Sequence, residues 1–162
     1  MSLQAMLMKT RKGFTLIELL VVVALIGVLA TLVLANLNAA RQRGRDAQRK
    51  SDLRNIQTAL RLYYNDYGKY PANMAGNIAG CGTGGTNICI WGEPFEADGN
   101  TYMSTLPRDP IRYYQYTQID ADTYTLKACL ENKSDEKCEP TGDPANSWCE
   151  STYDGCVYLV QP

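Results

Sequence analysis

The chain of 162 residues contains no histidine, so the side chain that most often acts as a general base near neutral pH is missing. The sequence also shows no nucleophile beside a base and no carboxylate pair at a recognisable spacing. Its six cysteines include no Cys-x-x-Cys pair, and no histidine is present to complete a zinc site. These absences argue against an enzyme and against a zinc protein, and the sequence predicts no cofactor.

Charge is scarce at the beginning of the chain. Residues 1–13 contain no acid but three basic residues: Lys9, Arg11 and Lys12. From Phe14 to Ala35, Glu18 is the only ionisable residue. A helix of that length measures about 33 Å, enough to cross a hydrocarbon core of about 30 Å. We therefore expect residues 14–37 to span a membrane as a single pass, with residues 1–13 on the cytoplasmic side.

The change of character at Gly13–Phe14 comes before the apolar run, whereas a secretory signal is cleaved after it. The run begins Phe-Thr-Leu-Ile-Glu-Leu-Leu and follows a short basic leader ending in glycine. In this the sequence resembles the type IV pilins and the type II secretion pseudopilins. The resemblance implies that a prepilin peptidase removes residues 1–13 by cutting after Gly13, and that Phe14 is then N-methylated. A plain single-pass anchor is the alternative.

Glu18 is the fifth residue after the predicted cut. A carboxylate at mid-bilayer costs roughly 2.5–3.5 kcal/mol, although one this close to the helix end could instead reach the interface. Cleavage would create a cationic amine at Phe14. We expect this amine to pair with Glu18 of a neighbouring subunit. The pairing would stabilise the docked subunit and fix its axial position relative to its neighbour.

Residues 38–162 are predicted to form a globular head that includes the second half of the helix. One apolar stripe recurs at intervals of three and four residues: Leu53, Ile56, Leu60, Tyr63 and Tyr67. This spacing favours packing of the helix against a sheet. Gly68–Pro71 should end the helix. Four basic residues lie off the stripe: Arg49, Lys50, Arg54 and Arg61.

Charge is distributed unevenly along the head. Residues 41–61 carry seven basic and two acidic residues, a net charge of +5, whereas residues 66–162 carry six basic and fourteen acidic residues, a net charge of −8. This asymmetry favours attraction between the head of one subunit and the stem of another. Two independently solvated faces are an equally good interpretation, because exposed charges are screened.

The remaining pattern predicts an α+β fold in which one long N-terminal helix packs on a small antiparallel sheet. The glycine-rich residues 72–90 are predicted to form a loop. Trp91 and Phe95 follow it, and their rings either fix the loop to the core or form an adhesive surface. Leu106–Pro110 should form a rigid connector, because its two prolines exclude helix. Three segments are predicted strands: Tyr113–Thr117, Thr123–Leu130 and Cys156–Val160.

All six cysteines lie in the head, at Cys81, Cys89, Cys129, Cys138, Cys149 and Cys156. An even number in a small exported domain predicts three disulfides. We favour sequential pairing, because each bridge then closes a loop rich in turn residues: Cys81–Cys89, Cys129–Cys138 and Cys149–Cys156.

The segment held by the last four cysteines is also acidic. The resemblance suggests calcium as a possible ligand, because major pseudopilins bind calcium in a corresponding loop. The candidate oxygen ligands do not have EF-hand spacing, so we predict no metal site. These candidates are Asp135, Glu136, Glu139, Asp143 and Asp154.

The resemblance implies a structural role as the subunit of a type IV pilus-like helical filament. The precursor would lie in the cytoplasmic membrane, and the assembled filament would be extracellular or periplasmic. The implied partners are further copies of the chain, the prepilin peptidase, a platform protein, an assembly ATPase and the membrane. Nucleic acid is not among them, although the stem arginines are a conceivable site. The alternatives are a pseudopilin of a type II secretion system and a membrane-tethered binding module that does not polymerise.

Overall fold

The fold is α+β, with one N-terminal helix followed by short antiparallel strands. The computed structural model describes residues 13–109, 111, 113–138, 148–149 and 155–162, without the side chains of residues 32, 35 and 36. Its helix, α1, spans Leu16–Tyr67. The strands within these residues are β1 Ala72–Met74, β2 Asn77–Cys81, β3 Asn87–Ile88, β4 Phe95–Ala97, β5 Asn100–Met103, β6 Gln115–Gln118, β7 Tyr124–Leu130 and β8 Cys156–Val160. The chain divides into two units, residues 1–40 and residues 41–162.

The first unit contains the beginning of α1. Most of its helical positions hold leucine, valine, isoleucine or alanine, of which leucine and alanine are strong helix formers. Among the residues that the structure describes, no helix is both long enough and apolar enough to cross a membrane. The prediction that residues 14–37 span a membrane is therefore not confirmed by the structure.

In the second unit, one face of α1 is buried against the strands. The predicted stripe faces this core, with four members buried and the last half-buried: Leu53, Ile56, Leu60, Tyr63 and Tyr67. Its partners include Phe95, Tyr116 and Tyr124. Because full burial of one large apolar side chain contributes about 1.5–3 kcal/mol, this contact is sufficient to hold the helix on the sheets.

The helix ends at a glycine, as predicted. Gly68 has φ 64°, a left-handed conformation that an L side chain adopts only with strain. Its backbone N–H donates to the carbonyl oxygen of Tyr64 at 2.8 Å. This bond closes the last turn, and Pro71 then prevents the helix from continuing.

The strands form three small antiparallel sheets, with the orders β1-β2-β3, β4-β5 and β6-β7-β8. In the third sheet, the register runs from Gln118↔Tyr124 in the β6–β7 pair to Leu130↔Cys156 in the β7–β8 pair. Alternate residues of β7 face the core, as the sequence pattern predicts. β8 has the predicted bounds, β7 begins one residue later than predicted, and β6 lies at 115–118 rather than at 113–117.

Residues 72–90 are not a loop, and that prediction is wrong. β1, β2 and β3 form a sheet there, with Ile78 fully buried. Gly80 lies inside β2, and a Cβ at this position would stand 2.7 Å from the Cβ of Pro71. This glycine therefore permits close packing within a strand rather than forming a turn.

The six cysteines form three disulfides, as predicted, but the sequential pairing is wrong for four of them. Cys81 pairs with Cys89, whereas Cys129 pairs with Cys149 and Cys138 pairs with Cys156. The end of β7 lies beside the beginning of β8, since Leu130 is the register partner of Cys156. Each strand-end cysteine takes its partner from the chain between the two strands, and the two bridges interleave.

Candidate functional site

Gly13 and Phe14 precede the helix and are both exposed. A Cβ added to Gly13 would meet no atom within 4 Å, and Gly13 is not among the glycines with positive φ. Neither packing nor backbone conformation in the folded chain therefore requires glycine here. The aromatic ring of Phe14 is 77% exposed.

Thr15 caps the helix that begins at Leu16. The backbone N–H of Glu18 donates to Thr15 Oγ1 at 3.3 Å, which satisfies one of the free donors at the helix N-terminus. Thr15 and Glu18 have the spacing of a capping box, and Glu18 lies in the first turn, next to the positive end of the helix dipole. Glu18 is exposed, and its carboxylate has no ion-pair partner among the described residues.

The described side chains from residue 13 to residue 40 are all exposed, and most of them are apolar. They include Leu16, Leu25 and Leu34, each exposed by about three fifths or more of its surface. A helix that is apolar on all sides is normally covered by a protein core or by lipid. Among the described residues of the first unit, nothing covers this segment.

A cluster of ionised side chains lies inside the second unit, centred on Arg49. This side chain is 2% exposed. Its Nε and Nη2 donate to Asp109, and its Nη1 donates to Asp46 at 2.8 Å and to Glu131 at 2.9 Å. Arg45 adds two more hydrogen bonds to Glu131, at 2.8 Å and 2.5 Å. The cluster ties α1 to the connector before β6 and to the turn after β7.

The hydrogen bonds of this cluster favour the ionised forms of Arg49 and Glu131. Burial lowers the pKa of Arg49, but its hydrogen bonds to Asp109 and Glu131 outweigh burial, so the net pKa is raised. Hydrogen bonds from Arg45 and then from Arg49 lower the pKa of Glu131 to about 2. Such a network of charge-assisted hydrogen bonds fixes the geometry of the residues that form it.

Arg49 is buried, so the interpretation of the basic residues as an independently solvated face does not hold for Arg49. Lys50 is also only partly exposed and forms an ion pair with Asp135, whereas Arg54 and Arg61 are exposed as predicted. The sequence offers one local signal for the cluster, the i,i+3 spacing of Asp46 and Arg49, which places them on one helix face. The two acids of the cluster that lie outside the helix, Asp109 and Glu131, are 60 and 82 residues away from Arg49.

The glycine-rich turn at Cys81–Gly85 is occupied by a carboxylate of the same chain. The backbone N–H of Gly84 donates to Asp98 Oδ1 at 2.7 Å, and the Tyr67 hydroxyl donates to Asp98 Oδ2 at 2.6 Å. These bonds, the first of them above all, lower the pKa of Asp98. The turn therefore resembles a phosphate cradle only in composition, because Asp98 already fills it.

Two of the five candidate calcium ligands, Asp135 and Glu136, belong to the described residues, and Glu139, Asp143 and Asp154 lie outside them. Asp135 forms an ion pair with Lys50. Within the described ranges, no group of three or more potential ligands stands close enough to hold a metal ion.

The two rings considered as an adhesive surface are both packed within the head. Phe95 is fully buried, and Trp91 packs edge-on against Tyr114 with ring centroids 5.7 Å apart.

Comparison with known families identifies the N-terminal segment. Residues 8–34 match the prokaryotic N-terminal methylation motif. This range contains the Gly13–Phe14 junction, the Thr15 cap and Glu18.

Curated relatives match beyond this segment. Type II secretion system core protein G of Vibrio cholerae is 31% identical over 146 residues, which cover 87% of this chain and 94% of that protein. The chain belongs to the family of type IV pilins and type II secretion pseudopilins. Within this family, type IV wide pilus major component PilA4 of Thermus thermophilus is 29% identical over 131 residues, covering 81% of this chain and 99% of PilA4.

Another pseudopilin relative matches over a shorter stretch. Type II secretion system core protein G of Pectobacterium carotovorum is 33% identical over 100 residues, so the chain spans 62% of that protein's length. No solved structure matches the chain. For this pilin-like chain, the site predicted from the sequence is thus the N-terminal motif, and the Arg49 cluster is an internal element of the head that the motif does not reveal.

Proposed function

We propose that the chain is a structural, non-enzymatic subunit of a type IV pilus-like filament that polymerises from a membrane. The observation that carries this proposal is the segment from residue 13 to residue 40, a helix with apolar side chains exposed on all sides. A surface of this kind in water drives association with lipid or with identical helices. Residues 14–37 would form the filament core, and residues 38–162 the head.

Processing begins with a cut after Gly13 by a prepilin peptidase, followed by N-methylation of Phe14. The free surroundings of Gly13 support this step, because a glycine that the fold does not require is explained by a protease that accepts no side chain there. Exposure of both residues leaves the junction accessible. The matched motif at residues 8–34 is a second support.

Before assembly, the precursor lies in the cytoplasmic membrane as a single pass, with residues 1–13 on the cytoplasmic side. The support is the run from Phe14 to Ala35, whose only ionisable residue is Glu18. A platform protein and an assembly ATPase then extract it into an extracellular or periplasmic filament. The contacts between copies are heterologous and do not close, which is how one subunit makes a fibre.

A second function, as a pseudopilin of a type II secretion system, is favoured by a specific observation. Several relatives carry the name type II secretion system core protein G, and the chain covers 94% of one and 85% of another. Both candidate functions share the processing and the polymerisation. They differ in the length of the filament and in its location.

Electron microscopy of sheared surface material, with identification of the subunit by mass spectrometry, tests these alternatives. Long filaments composed of this chain would support the pilus, and short filaments retained in the cell envelope would support the pseudopilus. A chain that stays monomeric in the membrane after correct cleavage would contradict both. The remaining candidate function would then be a membrane-tethered binding module that does not polymerise.

A further inference from the structure

Three arginines of the second unit lie along one line of α1, and we call them the arginine row: Arg43, Arg54 and Arg61. Their spacings of 11 and 7 residues are close to three and two whole turns of about 3.6 residues. The distances along the helix are therefore about 16 Å and about 10 Å. All three residues are exposed, and their face is not the one that carries the buried stripe.

The arginine row lacks ion-pair partners among the described residues, whereas three other basic residues of the same helix have them. Arg45, Arg49 and Lys50 all form ion pairs with acidic residues of the head. None of the three arginines of the row forms an ion pair or a side-chain hydrogen bond among the described residues. Three like charges along one line repel one another, so the row gains from an anionic surface placed beside it.

The same chain presents a matching pair of lone acids. Glu93 and Glu96 are exposed, and neither carboxylate takes part in an ion pair or a side-chain hydrogen bond within the described part of the chain. Two other exposed carboxylates of the head are engaged, since Asp98 accepts a hydrogen bond from Tyr67 and Asp122 accepts one from Tyr64. Three residues of chain span at most about 10 Å, so the Cα atoms of Glu93 and Glu96 are no farther apart than those of Arg54 and Arg61.

We infer that the arginine row is a docking surface for a second copy of this chain, with Arg54 and Arg61 facing Glu93 and Glu96 of that copy's head. The inference rests on the proposed function and adds to it a contact outside the apolar segment and Glu18. In a homopolymer every subunit brings both charged surfaces, so their numbers match by construction. A nucleic acid fits less well, because the chain as a whole has a net charge of −1 and the part after residue 65 a net charge of −8.

Charge reversal in the full chain tests the pairing. In cells that carry only the variant, Arg54→Glu with Arg61→Glu should reduce the filament in the sheared fraction at least fivefold. Glu93→Arg with Glu96→Arg should do the same, because each change places like charges face to face. A chain that combines all four changes should recover at least half of the wild-type amount.

The matched control is Lys69→Glu with Lys137→Glu, which makes the same change in net charge at exposed positions outside the row. It should leave the amount of filament within twofold of wild type. Each variant must first accumulate in the membrane fraction without thiols that react with a maleimide, which shows that its head has folded. Binding of double-stranded DNA and of phosphatidylglycerol vesicles by the purified chain is measured in parallel.

The outcomes separate this inference from the proposed function. Filaments in wild-type amount from Arg54→Glu with Arg61→Glu would overturn the docking surface alone. A loss that the combined variant does not restore would overturn its pairing with Glu93 and Glu96. Normal filaments with lost binding of DNA or vesicles would reassign the row to that ligand. A wild-type chain that forms no filament would overturn the proposed function and this inference with it.

Discussion

Arg49 and Asp109 lie 60 residues apart in the sequence and join inside the head, where each side chain is almost completely buried. Asp109 belongs to the connector before β6, so the bond fixes this connector to the helix. The backbone N–H of Ile111 donates to the same carboxylate at 2.9 Å. One carboxylate thus positions both the helix and the chain that enters the third sheet.

Replacing Arg49 should destabilise the head strongly. Arg49→Leu leaves Asp109 and Asp46 buried without their common partner, and breaking a buried pair from one side costs about 3–5 kcal/mol. The measurement is urea unfolding of the full chain in detergent, followed by tryptophan fluorescence. Arg54→Leu, which removes an exposed arginine from the same helix, should change the free energy of unfolding by no more than about 0.5 kcal/mol. Equal unfolding midpoints for the two variants would refute the assigned role of Arg49.

Stability should fall in acid through Glu131. Its folded pKa of about 2 lies below the ordinary value of 4.5, so the ionised carboxylate stabilises the fold above pH 4.5. This contribution is lost as the pH falls from 4.5 to about 2. We expect it to be about 1–2 kcal/mol, because solvent near Arg45 screens part of the interaction.

Unfolding curves of Glu131→Gln measure this contribution. The variant should be less stable than wild type at neutral pH and should lose less stability than wild type between pH 4.5 and pH 2. Glu136→Gln removes an exposed carboxylate of the same loop and should keep the wild-type dependence. A wild-type acid profile in Glu131→Gln would show that another carboxylate dominates.

Gly13→Val should leave uncut precursor in the membrane, whereas the stability of the head should not change, because Gly13 packs against nothing. A blot of the membrane fraction shows the precursor by its larger mass. Gly27→Val is the matched control, since this glycine also has no neighbour within 4 Å but lies inside the apolar segment. Normal cleavage of Gly13→Val would disprove the assignment of the cut.

Glu18→Gln should be inserted and cut normally but should fail to polymerise. The variant keeps the backbone N–H that donates to Thr15, so the helix cap survives and only the charge is lost. The filament content of sheared fractions then reports the pairing of Glu18 with the Phe14 amine of another subunit. Thr15→Ala provides the comparison, because it removes the cap at a cost of about 1 kcal/mol and keeps the carboxylate. If Glu18→Gln yields filaments in wild-type amount, the carboxylate has no part in assembly.

The sequence predicts well where local pattern and burial coincide. The stripe from Leu53 to Tyr63 and the alternation of β7 each repeat over several turns or residue pairs, so that one misplaced residue does not change the interpretation. The N-terminal motif is equally local. These features identify the helix, the third sheet and the candidate site around Gly13, Phe14 and Glu18.

Prediction fails where distant residues determine the outcome. β1, β2 and β3 are short, β2 contains Gly80, and the three strands are held by pairing with one another and by burial of Ile78. The position of Arg49 depends on acids far away in the sequence, so its helical spacing alone suggests a solvated face. The cysteine pairing depends on the register that sets Leu130 opposite Cys156, and this register is not visible in the spacing of the cysteines.

The interleaving of Cys129–Cys149 with Cys138–Cys156 keeps the head covalently connected after a proteolytic cut. A single backbone cut at any point between residues 129 and 156 leaves both fragments covalently joined, because at least one bridge spans every such point. With the sequential pairing, a cut between residues 138 and 149 would release the last strand. One cleavage between residues 129 and 156 therefore leaves β8 covalently attached to the rest of the head.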